Sequence, residues 1–374
     1  MLEPYTKRLR AACACCTEPF AATGISRRAL IAGGGAAAAA AATAGLAPAV
    51  LAQAVPAQAV PAQAKPHRID VHHHVVPPSW LQAMNLIGRS NPPLINWSVA
   101  KTLDDMDQGG VATSIVSPTA PQVTPLGKDA AMRIARDANE FGVKLMADHP
   151  GRFGVFATLP LPHIDAALKE IAYAFDILKV DGIGMMTSYN DKWLGYPEFD
   201  PIWQELNSRK AVVYTHPTDA SCCVNLVRGE TSSGIEWGTD TTRSLASLVF
   251  SGTTQKYRDI RFIWSHGGGA LTSFAERFLV QWVATPPYKG KFTRESVQAE
   301  LDRFYYDTAQ VSLKGTLAAL AKLVPVSQIV YGTDFPYRTA AEHTRGVSAT
   351  FAGDDLKKVD RDNALRLLPR LRAA

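Results

Sequence analysis

From Arg68 onward the hydrophobic positions change period again and again. Short runs rich in apolar and β-branched residues alternate with longer stretches in which apolar residues recur three or four positions apart. Runs of the first kind fall at 68–72, 112–118, 153–159, 182–188, 211–216, 261–266, 304–307 and 328–334. Amphipathic stretches at 129–147, 164–178, 241–250, 271–283 and 314–323 predict helices between them. Parallel strands cannot be joined by a tight turn, so strand and helix in alternation predict a parallel sheet with helical crossovers. Eight repeats over roughly 300 residues suit a closed (β/α)8 barrel of the TIM type better than an open doubly wound sheet. The predicted catalytic domain spans 67–374.

The amino-terminal pattern is different in kind. Ser26-Arg27-Arg28-Ala29-Leu30-Ile31 leads into an Ala/Gly-rich apolar run, followed by small-residue sites at Ala47-Pro48-Ala49 and Ala52-Gln53-Ala54. That layout predicts a twin-arginine export signal over 1–54, read by the twin-arginine export machinery and delivering a folded protein to the periplasm. A retained membrane anchor is the alternative: about 20 residues could span a bilayer, but alanine and glycine make the run only weakly apolar. More residues precede the arginine pair than such a signal needs, which points to a start downstream of Met1. Residues 55–66 read as a Pro/Ala linker with nothing to bury, hence disordered.

Charge changes the picture little. The formal net charge is +5, but residues 1–66 hold six cations against two acids, +4 of that total, so the rest is near +1. No basic patch or recognition motif is left for nucleic acid. The five cysteines are Cys13, Cys15, Cys16, Cys222 and Cys223, without a CxxC pair. Adjacent cysteines rarely bridge, so neither a structural disulfide nor a thiolate metal site is expected.

In a barrel of this type the loops after the strands converge over one mouth, so residues ending the strands carry the chemistry. His72 and His74 end the first predicted strand, His216 the fifth, His266 the sixth, Asp307 the seventh and Asp334 the eighth. Residues two apart on a strand share a face, so His72 and His74 can reach one ion while His73 turns away. A His-x-His pair alone could equally be a satisfied core pair. With His216 and Asp334 it becomes three imidazoles and a carboxylate, a set suited to Zn²⁺ and tolerable for Mn²⁺. His266 opens a glycine run that fits neither GxGxxG nor a phosphate loop, and is placed to hydrogen-bond a metal-bound water or a developing oxyanion. Trp193, Trp237 and Tyr189 fall after the fourth and fifth strands, where they either stack on an aromatic substrate or simply pack. Asp307 is placed to orient a ligand or the substrate.

Ile69-Asp70-Val71-His72-His73-His74, Thr215-His216-Pro217, Ser265-His266-Gly267-Gly268-Gly269 and Tyr331-Gly332-Thr333-Asp334-Phe335-Pro336 together resemble the amidohydrolase-related group of the metal-dependent hydrolase superfamily. Within it the chain is similar to aminocarboxymuconate-semialdehyde decarboxylase and the methylsalicylate- and resorcylate-type aromatic acid decarboxylases. The resemblance covers about residues 67 to 370. It implies one Zn²⁺ or Mn²⁺ on His72, His74, His216 and Asp334, with His266 acting from outside the ligand set. Arg277 stands eleven residues after His266, where the resemblance implies an arginine reaching a neighbouring subunit's site to hold a substrate carboxylate. That reading implies a homodimer; a solvated helix charge is the plain one. Resorcylate-type enzymes usually carry Glu where His72 stands, so the aminocarboxymuconate and methylsalicylate types are the nearer likeness. Two reactions of a small carboxylate or carbonyl substrate remain open. One is non-oxidative decarboxylation of a hydroxybenzoate-type or related unsaturated acid, with Asp334 as proton donor. The other is hydrolysis of a lactone, ester or amide by a metal-activated water. A non-catalytic metal-binding protein is a third reading, against which the complete set with His266 counts.

Overall fold

The computed structural model describes residues 66–372. The expected export signal, Cys13, Cys15, Cys16 and the expected linker through residue 65 lie outside the described residues. Eight strands run parallel in one sheet: β1 (Arg68–His74), β2 (Val111–Ser117), β3 (Phe153–Thr158), β4 (Gly182–Met186), β5 (Val212–His216), β6 (Arg261–Trp264), β7 (Tyr305–Asp307) and β8 (Ile329–Val330). Each pairs with its neighbours in sequence order. The ring is closed by backbone bonds between β1 and the segment leaving β8: Val71 N donates to Tyr331 O at 3.0 Å, Asp334 N to His72 O at 2.8 Å and His74 N to Phe335 O at 2.8 Å. The (β/α)8 barrel expected from the repeat is therefore present.

The eighth run was expected to continue to residue 334, but the strand stops at Val330. Beyond it the chain turns, and Asp334 takes a left-handed backbone with φ 65°. The helices Lys128–Asp148, Ile164–Tyr173 and Lys314–Leu323 sit where the apolar spacing puts them. Glu236–Phe250 starts five residues before the expected 241, because Gly238 in its first turn hides the period. After β4 a hairpin pairs Ser188–Tyr189 with Lys192–Trp193 across Asn190 and Asp191, both at positive φ, a two-residue turn the hydrophobic pattern does not reveal.

On β5 the alternation is plain. Tyr214 and His216 share a face, and the Tyr214 ring lies 5.4 Å from Phe156 and 5.2 Å from His72, so that face is the barrel interior. Val213, on the other face, joins the layer between barrel and helices. Near the starts of the strands Ile69, Val212 and Ile263 pack with Ala364, Leu367, Leu368 and Leu371 from the carboxyl-terminal segment. The histidines are at the other ends. Among the described residues no helix is long and apolar enough to cross a membrane. One expectation is corrected: Cys222 and Cys223 are joined as a disulfide. Adjacent residues bridge only where the backbone brings both thiols to one side, and here the chain makes a 3-10 turn over Ser221–Cys223.

Candidate active site

The ends of β1, β5, β6 and β7 and the turn after β8 bring six histidine and aspartate side chains, His72, His74, His216, His266, Asp307 and Asp334, into one buried cluster. His72 Nε2 lies 3.3 Å from His74 Nε2. Asp334 Oδ1 is 3.0 Å from His74 Nε2 and 3.2 Å from His72 Nε2, and its Oδ2 is 3.4 Å from His266 Nε2. The His216 ring centroid is 5.2 Å from that of His72 and 4.8 Å from that of His74. Candidate ligand atoms of His72, His216, His266 and Asp334 all lie within 4.8 Å of one another.

Hydrogen bonds on the far side of each ring decide which nitrogens face inward. Nδ1 of His72 lies 2.8 Å from Asp307 Oδ2, Nδ1 of His74 lies 3.2 Å from Ser117 O, and Nδ1 of His216 lies 2.8 Å from Pro217 O. Each partner can only accept, so each Nδ1 carries hydrogen and each Nε2 turns toward Asp334. His216 Nε2 is buried with no hydrogen-bond partner at all. A buried nitrogen lone pair left bare beside a carboxylate is costly unless something electropositive meets it. Three inward nitrogens and a carboxylate oxygen fit a divalent cation. His266 is held differently, through its backbone N–H, which donates to Asp307 Oδ1 at 2.8 Å.

Two members of the cluster are strained. His266 has φ 54° and Asp334 φ 65°, left-handed conformations that side-chain-bearing residues adopt only when their surroundings enforce them. The enforcement is visible: Asp307 Oδ1 grips the His266 amide, and His72 O accepts from Asp334 N. Gly332 lies behind them, where a Cβ would meet the Cβ atoms of His72 and Asp307 at 2.9 and 3.0 Å. Asp70 ties the back of the site together, accepting from His72 N and Thr333 N through Oδ1 and from Thr333 Oγ1 through Oδ2.

The charges are mutually dependent. Burial works against charging His72, yet the carboxylates of Asp307 and Asp334 outweigh it and raise its pKa to about 10. Burial holds His216 well below the ordinary histidine value, reinforced by His74, His72 and His266. Burial also lowers His74, against the pull of Asp334. For Asp334 burial would favour the neutral acid, but His72, His266 and His74 hold it well below the usual carboxylate range. Asp307 and Asp334 thus favour the charged form of His72, and a cation held on its Nε2 would compete with that proton.

Above the cluster opens a cavity of about 660 Å³ with His266 and Asp334 exposed to it and with Asn91, Trp237, Gln310 and Tyr337 in its wall. Trp237 stands where the sequence suggested. Its ring meets His216 edge-on at 5.7 Å, and its Nε1 donates to Asp219 Oδ1 at 2.7 Å. Trp193 does not line this cavity; it donates to Asp240 at 2.6 Å and borders a separate surface groove with Phe250, Trp282 and Tyr288. Tyr189 is buried packing whose hydroxyl accepts from Met186 N. Both Asp307 oxygens are engaged below the cavity, so it orients His72 and His266 and does not meet a substrate. Arg277 is exposed just beyond the helix Leu271–Glu276 and is not part of the cavity wall. Sequence reasoning missed Asp70, Asn91, Gln310 and Tyr337. For Gln310 a signal existed, since it follows Asp307 by three residues and so lies in the loop after the seventh strand.

Residues 69–370 match the amidohydrolase family. The chain belongs to that family. The matched residues take in the barrel strands, the strand-end histidines and Asp334. A decarboxylase of Penicillium terrestre is 36% identical over 332 residues, covering 82% of this chain and 96% of its own. The 6-methylsalicylic acid decarboxylase of Aspergillus aculeatus is 33% identical, covering 82% and 97%. Among solved structures, a dihydroxybenzoic acid decarboxylase of a Polaromonas species, with bound manganese and the inhibitor 2-nitroresorcinol, superposes with a TM-score of 0.73. It is 22% identical and covers 82% of this chain and 98% of its own, a likeness of fold.

Proposed function

We propose that this amidohydrolase-family protein is a divalent-metal-dependent, non-oxidative decarboxylase of a hydroxybenzoate-type acid. The carrying observation is that Nε2 of His72 and of His74 meet Asp334 Oδ1 with the unpartnered Nε2 of His216 in the same cluster, while Asp334 Oδ2 faces a cavity large enough for a substituted ring. The decarboxylase relatives at 33 and 36% identity support the reaction type.

His72, His74, His216 and Asp334 would hold the ion, which when bound supplies Lewis acidity toward the substrate carboxylate and its ortho oxygen. Trp237 and Tyr337 wall the ring in. His266 hydrogen-bonds the phenolic oxygen and draws charge onto it. Asp334, which rests as the carboxylate, takes up a proton from water and passes it from Oδ2 to the ring carbon bearing the carboxylate. The bond to the carboxyl carbon then breaks, its electron pair returns to the ring, CO2 leaves, and Asp334 is again the carboxylate. Three imidazoles and one carboxylate suit zinc; the Polaromonas enzyme holds manganese, so both ions enter the test.

The test loads the protein with zinc or manganese and offers 2-hydroxybenzoates beside simple lactones. Release of CO2 with the matching phenol is expected. Acid formation from lactones without CO2 would replace the decarboxylase reading with the hydrolytic one. The arginine pair at Arg27-Arg28 supports export to the periplasm by the twin-arginine machinery, checked by fractionating cells with and without that pair. Exposed Arg277 suits a homodimer in which it reaches the neighbouring cavity. Light scattering of the wild type and Arg277→Ala tests that reading, and an entirely monomeric wild type overturns it.

A further inference from the structure

The two oxygens of Asp334 have different surroundings. Oδ1 faces His72 and His74; Oδ2 faces the cavity, where Gln310 Nε2 donates to it at 2.7 Å, shorter than the 3.4 Å to His266 Nε2. Gln310 is itself held in place. Its backbone is left-handed, φ 57°, and its amide N–H donates to Nε2 of His343, whose Nδ1 lies 3.1 Å from Thr339 O. Arg338 Nη1, at 3.4 Å, approaches Gln310 Oε1, so the amide is oriented with its NH2 toward Asp334. A glutamine in a strained conformation, held by His343 and Arg338 and aimed at one oxygen of Asp334, is not ordinary loop packing.

We propose that Gln310 is the positioning residue that keeps Asp334 divided, with Oδ1 toward the ion and Oδ2 toward the substrate ring. This inference rests on the decarboxylase reading for its kinetic consequence, but the placement of the carboxylate can be read without turnover. Without the amide, Asp334 is free to rotate and offer both oxygens to the ion, which leaves none aimed at the ring.

The variants are Gln310→Met, which keeps length but cannot donate, and Gln310→Glu, which keeps shape but puts a like charge beside Oδ2. Full-length wild type and variants are loaded with cobalt(II), whose visible absorption reports ligand geometry, and assayed on the hydroxybenzoate that the wild type turns over best. Expected for both are wild-type cobalt stoichiometry, an altered visible band, and a kcat lower by about ten- to a hundredfold with KM within about twofold. An unchanged band, a kcat within about twofold of wild type, or loss of cobalt from the Gln310→Met protein at an unaltered melting temperature overturns the assignment. A wild type that releases no CO2 from any hydroxybenzoate sinks the decarboxylase reading instead, and the cobalt band then decides the role of Gln310 alone.

Discussion

The two ends of this barrel are built on opposite rules. Where the strands begin, Ile69, Val212 and Ile263 pack against Ala364, Leu367, Leu368 and Leu371, all buried, all apolar. Where they end, the buried groups are imidazoles and carboxylates. The backbones of His266, Gln310 and Asp334 there are left-handed, and Nε2 of His216 has no hydrogen-bond partner. The first arrangement is what burial favours; the second is tolerated only because neighbouring groups enforce it. Stability and chemistry are therefore separated along the barrel axis, and substitutions at the two ends should fail in different ways.

The largest effect is expected at the polar end. Asp334→Ala should lower kcat/KM by on the order of a thousandfold or more, since it removes a proton donor and a ligand together. Its melting temperature without metal should fall, because His72 loses a carboxylate that favours its charge and the left-handed φ of 65° suits alanine less well than aspartate. Elemental analysis beside calorimetry checks this, and wild-type activity in a metal-replete variant would end the proposed role. Asp307→Asn comes next: His72 loses the carboxylate that fixes its ring, and metal affinity should fall by about ten- to a hundredfold, read by competition with a chelator. At the other end Leu367→Ala should cost about 2–4 kcal/mol of unfolding free energy by opening a cavity, while leaving kcat near wild type. Equal damage to kcat and stability would mean the ends are not independent.

The smallest effect sharpens the contrast by pH. Asp105, on the helix Val99–Gly109, accepts from Ala340 N, but burial raises its pKa from 3.8 to about 6. The folded chain thus holds this proton more tightly than the unfolded one. Stability associated with the protonated acid is present below pH 4 and is lost as pH rises toward 6. Asp105→Asn should flatten that decline, by roughly 2 kcal/mol, in urea titrations across this range and leave the activity profile alone.

The hydrophobic period revealed all eight strands because each is a short apolar run, and it placed His72, His74 and His216 at their ends for the same reason, whereas Asp334 lies in the turn beyond Val330. What it could not show was the wiring behind them. Asp70 sits inside an apolar run and reads as an interruption until its bonds to Thr333 are seen. Gln310 and Tyr337 belong to loops, where no period exists to mark a side chain as facing the cavity. Trp193 and Trp237 were equivalent candidates by position after a strand. The hairpin at Ser188–Trp193 turned the first away from the cavity, and the start of the helix Glu236–Phe250 held the second over His216.

The ring closes where the first strand meets the segment leaving the eighth, with Asp334 N bound to the carbonyl of His72 across 262 positions of sequence. A ribosome must therefore deliver nearly the whole domain before the first imidazoles acquire their carboxylate partner. Nascent chains stalled short of residue 334 would hold His72 and His74 without Asp334, so an ion held as proposed would be acquired only once that segment has been made.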